Sequence, residues 1–119
     1  MEIIDTIWIS ESSEEAIVTI ACGGVQLVCF WHPFNFDVVL PEVCYVFGLN
    51  IKNISRTASR NYSALKINSE EIPGYEIIGK VIDPERVKIG GFVLELDTPL
   101  PGDITVDEFV RFSCDRLSI

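Results

Sequence analysis

The sequence predicts a single all-β domain over residues 1–119, either a small antiparallel barrel or a strongly bent pair of sheets. Three observations predict it. Between Ala16 and Trp31, two strand-like stretches rich in β-branched residues meet at Gly23-Gly24 with no helical signal between them. Apolar residues recur with a period of two along most of the remaining chain, and no segment of helical length keeps a 3.6-residue period. The stretches between these runs are rich in Ser, Pro, Gly, Asn and acidic residues, the punctuation of turns and loops.

Taken in order, residues 3–9 form an opening strand that carries Trp8. Gly-Gly supplies positive φ angles at little steric cost, so the next two strands read as a long hairpin with a two-residue turn. That turn pairs Cys22 with Val25, Ile20 with Leu27, Val18 with Cys29 and Ala16 with Trp31, and Pro33 ends the second strand. In residues 45–51, Tyr45, Phe47, Leu49 and Ile51 make a greasy face, assigned inward, against a thinner face of Val46, Gly48 and Asn50. A tip at residues 55–61 leads to a strand at 62–67, and further strands follow at 75–82, 91–97 and 109–114. Phe92, Leu94 and Leu96, then Val110, Phe112 and Cys114, point inward, and Gly90-Gly91 is a tight turn or bulge. The count is seven or eight antiparallel strands with one wet side. Barrel closure is favoured because it removes exposed edges. In architecture alone, the long glycine-turned hairpin resembles the bent opening strands of OB-like barrels, a likeness that carries no motif and no function.

Composition fits one adequate core. A chain of 119 residues buries about two-thirds of its unfolded surface on folding. With 48% hydrophobic and 23% charged residues and a mean hydropathy of +0.31, it is too apolar for disorder. No apolar run approaches the roughly 18 residues of a membrane-crossing helix. The acidic start, Met-Glu-Ile-Ile-Asp, is unlike a secretory signal, so a cytoplasmic location is expected. In the hairpin register Cys22 and Cys29 share a face but stand roughly 13 Å apart along the ladder, beyond disulfide reach. The four cysteines are therefore expected as reduced thiols packed like small hydrophobes.

Catalytic signals are weak, and no enzyme, metal or cofactor is expected. His32 is the single histidine, and its three-residue spacing from Cys29 places the two on opposite faces of a strand. The cysteines lack the closely spaced pairs that aim two thiolates at one zinc ion. Gly90-Gly91 lacks a following helix and so does not form a phosphate-binding loop.

Charge is more informative. A net charge of −9 and a pI near 4.4 disfavour nucleic acid and anionic membranes. The expected function is a protein-interaction module that meets a basic partner, in an inhibitor or immunity-type role, because complementary charge speeds encounter and selects partners. The loop carboxylates Asp37, Glu42, Glu70, Glu71, Asp103, Asp107 and Glu108 are its candidate contacts. An alternative class is an OB-like binder of single-stranded nucleic acid or phosphate, using Lys52, Arg56, Arg60 and Lys66 in an otherwise acid-free stretch. A small ligand-binding barrel is a third class. The unusually apolar second face of the hairpin, with Ile17, Val28 and Phe30, is either further core or a contact surface for a homodimer or another partner.

Overall fold

A computed structural model describes residues 1–37 and 44–119, and among these the chain is all-β, with eleven strands and no helix. The strands are β1 (Glu2–Ser10), β2 (Glu15–Cys22), β3 (Val25–Trp31), β4 (Cys44–Leu49), β5 (Lys52–Arg56), β6 (Ser63–Lys66), β7 (Tyr75–Asp83), β8 (Arg86–Ile89), β9 (Phe92–Leu96), β10 (Phe109–Cys114) and β11 (Arg116–Ser118). One sheet holds them in the order β1-β2-β3-β11-β4-β9-β8-β7-β10-β5, with β6 paired to β7. The sheet is mixed and not purely antiparallel, since β4 runs parallel to β9 and β11 parallel to β3. Parallel neighbours need a long crossover. For β4 and β9 that crossover is the segment bearing β5 to β8.

The β2–β3 hairpin has the register read from its sequence, with Cys22 opposite Val25 and Ala16 opposite Trp31. Gly23 and Gly24 have φ of +60° and +81°. Gly23 is fixed twice over, because a Cβ there would also strike the backbone of Gly90 and Gly91. Those two residues form the tight turn of the β8–β9 hairpin, and the Gly91 N–H donates to the Cys22 carbonyl at 3.2 Å. The tips of the two hairpins are thus in direct contact.

Strand β7 organises the other half. One of its edges takes β10 from Tyr75 to Lys80; the other takes β6 over Tyr75 to Ile78 and then β8 over Lys80 to Asp83. Curvature brings β6 near β3, but no ladder joins them, so the sheet is not closed into a barrel. At this seam the Val28 N–H donates instead to the hydroxyl of Tyr75 at 2.9 Å. The Tyr75 ring lies in the core with Ile20, Leu27, Ile77, Phe92 and Phe112, and no polar or charged side chain is fully buried among the described residues.

One face assignment is reversed for Tyr45, Phe47 and Leu49, whereas Ile51, beyond the end of β4, is buried in the core as expected. Cys44, Val46 and Gly48 point into the core, while Tyr45, Phe47 and Leu49 are each about half exposed. The reason lies in the neighbours of β4. Leu94 stands opposite Val46 and Leu117 opposite Gly48, and these large side chains fill the layer so that only small residues fit between them. A Cβ at Gly48 would press on the Ile51 side chain. The segments β5, β8 and β11 are strands beyond the seven or eight expected, being only three to five residues long.

Candidate interaction surface

The basic segment does not form a hairpin with both arginines at its tip, because β5 pairs with β10 and β6 with β7. Arg56 closes β5. Its Nε donates to Glu108 Oε1 at 3.0 Å and its Nη1 to Asp103 Oδ2 at 3.1 Å, and it also donates to the Asp103 carbonyl. The Thr105 N–H and then Arg56 hold the Glu108 carboxyl below its usual range, while the two carboxylates raise Arg56 above its own. Lys52 Nζ lies 2.7 Å from Asp115 Oδ1, and this contact, followed by a hydrogen bond from Asn50, lowers the Asp115 carboxyl. Lys80 pairs with Asp107 at 3.6 Å. Arg60 sits 5.7 Å above the Phe109 ring. Lys66 lies apart from these, on the wall of a cleft at the β3–β6 seam.

The carboxylates singled out from sequence fall into separate groups. Asp103, Asp107 and Glu108 are tied to the cations just named. Glu70 and Glu71 rim a shallow depression with Ile72, Asp115 and Arg116. Asp37 is exposed just past the aromatic cluster of Trp8, Trp31, Phe34 and Phe36. Glu42 lies outside the described residues.

The second face of the hairpin is the outer face of the sheet. Ile17 lies between Ile7 and Phe30, its partners across two ladders, and is 4% exposed although it is no part of the core cluster. The row continues from Phe30 through Ser118 to Phe47. Val28 and Phe30 are half-buried, and the Arg116 guanidinium stacks on Phe30 at 5.3 Å. Ile7 and Phe47, 53% and 51% exposed, show that the two ends of this apolar row reach solvent. At the near end β1 has β2 as its only neighbour, so its other edge is unpaired among the described residues.

Sequence reasoning overlooked the location of the charge, although the signal was there to be counted. Residues 1–51 contain seven carboxylates and neither lysine nor arginine, whereas residues 52–119 contain eleven carboxylates and nine basic residues. The first three strands therefore lie in a part of the chain holding −7 of the net −9. On β1 and its turn to β2, Glu2, Asp5, Glu11 and Glu14 are all exposed.

The seam cleft has a volume of about 390 Å³ and is lined by Ile4, Asp5, Thr19, Val28, Lys66 and Tyr75 among others. Cys29, Cys44 and Cys114 are buried in the core, as expected of thiols packed as hydrophobes, while Cys22 is half-buried. Burial pushes the Cys44 and Cys114 thiols up to about 11. It also raises Cys29 well above the ordinary range, with the neighbouring Cys44 and Cys114 adding to the effect. Such thiols are protonated at neutral pH and weak as nucleophiles. Cys29 points inward and His32 is exposed, so the two do not form a pair. No group of three His, Cys, Asp or Glu side chains is placed to hold a metal ion among the described residues. Comparison of the chain with protein-family models, with curated proteins and with solved structures finds no match.

Proposed function

We propose that this chain is a non-enzymatic protein-interaction module that recognises a basic protein partner, in an inhibitor or immunity-type role. The observation that carries this reading is the pairing, on one element, of carboxylates outside any ion pair among the described residues with exposed apolar side chains. Strand β1 and its turn present Glu2, Asp5, Glu11 and Glu14 beside Ile4, Ile7 and Ile9, each isoleucine about half exposed. Carboxylates that are in no ion pair among the described residues project a field that draws a basic surface in, and apolar side chains then supply contact area once water is displaced. This support moves the expected contact away from Asp103, Asp107 and Glu108, whose charge is already offset by Arg56 and Lys80.

A test starts from the partner that the immobilised chain captures at low ionic strength. That partner is expected to be basic, with an association rate that falls about tenfold or more on going to physiological salt. Converting Glu2, Asp5, Glu11 and Glu14 to their amides slows association, and converting Asp103 and Asp107 leaves it nearly unchanged. An acidic partner, or one that associates equally fast at high salt, overturns the reading.

A second reading, a small-ligand site, is favoured by the seam cleft. Its volume falls in the range of ligand pockets, and Lys66 has no ion-pair partner among the described residues. The nucleic-acid alternative has less support, because Lys52 and Arg56 are already held by carboxylates and Lys66 stands away from them.

A further inference from the structure

We propose that β1 is a docking strand: its outer edge, unpaired among the described residues, accepts an extended segment of the partner, which joins the sheet as a further strand and alternates basic with apolar residues. This rests on the reading of the chain as a module for a basic partner and specifies how that partner is held.

Strand β1 is nine residues long and ends the sheet order. In a strand with one neighbour, every second residue points its N–H and C=O groups away from that neighbour, so the free side of β1 offers donors and acceptors that no strand meets among the described residues. The Thr6 N–H is held by the Asp5 carboxylate at 2.9 Å, a local contact that a guest strand displaces or leaves in place. The ladder to β2 is irregular near each end of β1 but regular from Asp5 to Trp8, which leaves a central template without a bulge. Soluble proteins commonly blunt such an edge with lysine or proline. β1 has neither, and its only charges are the carboxylates of Glu2 and Asp5.

The side chains specify the guest. On the outer face, Ile7 and Ile9 extend the apolar row of Ile17 and Phe30, so guest residues opposite them are apolar, while Asp5, on the same face, suits a basic residue at that end of the guest. On the other face, Thr6 and Ser10 flank Trp8, whose ring lies 5.7 Å from Phe34 and 6.0 Å from Phe36. A lysine or arginine laid there meets an aromatic face near the turn that carries Glu11 and Glu14. Charge also argues against a second copy of this chain as the occupant. Pairing β1 with itself would bring two segments with carboxylates and no cation into contact.

The test uses a short synthetic peptide of alternating valine and lysine, titrated into the intact chain. Binding is read by amide chemical shifts and by hydrogen exchange. The peptide is expected to protect amides within residues 5–8 and to bind more weakly as salt is added. N-methylation of every second peptide amide, on the edge that pairs, is expected to weaken binding about tenfold or more, because backbone hydrogen bonds are lost. Ile7→Lys blocks the site with a like charge, whereas Phe47→Lys, at the far end of the same face, does not. Both side chains are half exposed, so each variant folds. The proposal is overturned if the peptide leaves β1 amides unprotected, if the N-methylated peptide binds equally well, or if Phe47→Lys abolishes binding instead. With the natural partner the two claims separate. Salt-sensitive binding of a basic protein that leaves β1 exchanging freely sinks strand addition while the reading of a basic partner stands.

Discussion

At the scale of the residue, Asp97, Asp115 and the buried thiols act on the fold. Asp97 receives the N–H groups of Asn50 and Ile51 at 2.6 and 3.0 Å, while Asp115 receives the Asn50 side chain and Lys52. The β4–β5 turn, where Asn50 has a φ of +56°, is thereby tied to the end of β9 and to the β10–β11 junction. Lys52, read from sequence as a possible nucleic-acid contact, is part of this tie. The thiols give a pH prediction. An unfolded cysteine ionises near pH 8.5, whereas Cys44 and Cys114 in the fold ionise at about 11. Between those values the unfolded chain has lost protons that the folded chain retains, so stability falls as pH rises. The contribution is complete below about pH 8.5 and is lost as pH climbs through 11. Urea unfolding at pH 7, 9 and 10.5 is expected to show the fall, and Cys44→Ala with Cys114→Ala is expected to make it shallower. Equal slopes for the variant and the parent would contradict the assignment.

At the scale of the element, β4 shows how far period-two patterning can be trusted. Alternation fixes which residues share a face, and here Tyr45, Phe47 and Leu49 do share one. It does not say which face is inside. That depended on the strands flanking β4, and both are distant in sequence. Val46→Ala is therefore expected to cost about 1–3 kcal/mol by opening space beside Leu94, while Phe47→Ser changes stability by no more than about 0.5 kcal/mol. Chemical denaturation of the two variants decides between the faces, and the reverse order would restore the inward placement of Phe47. The hairpin is the opposite case. Its register followed from Gly23-Gly24 because a two-residue turn leaves no freedom in the pairing, and the observed partners are those read from the sequence.

At the scale of the whole molecule, charge is divided along the chain. An acidic, apolar first part, which contributes β1 to β3, is followed by a second part in which β5, β7 and β8 carry most of the cations and their ion pairs. Self-repulsion should be greatest in the first part, since it has no internal cation to offset it. Glu11→Gln with Glu14→Gln is expected to raise the melting temperature in low salt. That gain shrinks at physiological ionic strength, where exposed charges are screened beyond about 8 Å. A gain independent of salt would mean that the turn at residues 11–14 is stabilised locally, with no relief of repulsion.

By itself, the sequence determined that the chain is all-β, the pairing and turn of its central hairpin, and the inward residues of β9 and β10, because each follows from local rules of turn geometry and alternation. It also contained the uneven charge, legible by counting. Only the tertiary structure decided that the sheet stays open at the β3–β6 seam, that Arg56 and Lys52 serve ion pairs, and that the apolar row from Ile7 to Phe47 lies on the outside. Those outcomes depend on which distant strands become neighbours. Parallel partners such as β4 with β9 are chosen by how side chains from separate segments fill one layer, and no local pattern in the chain encodes that choice.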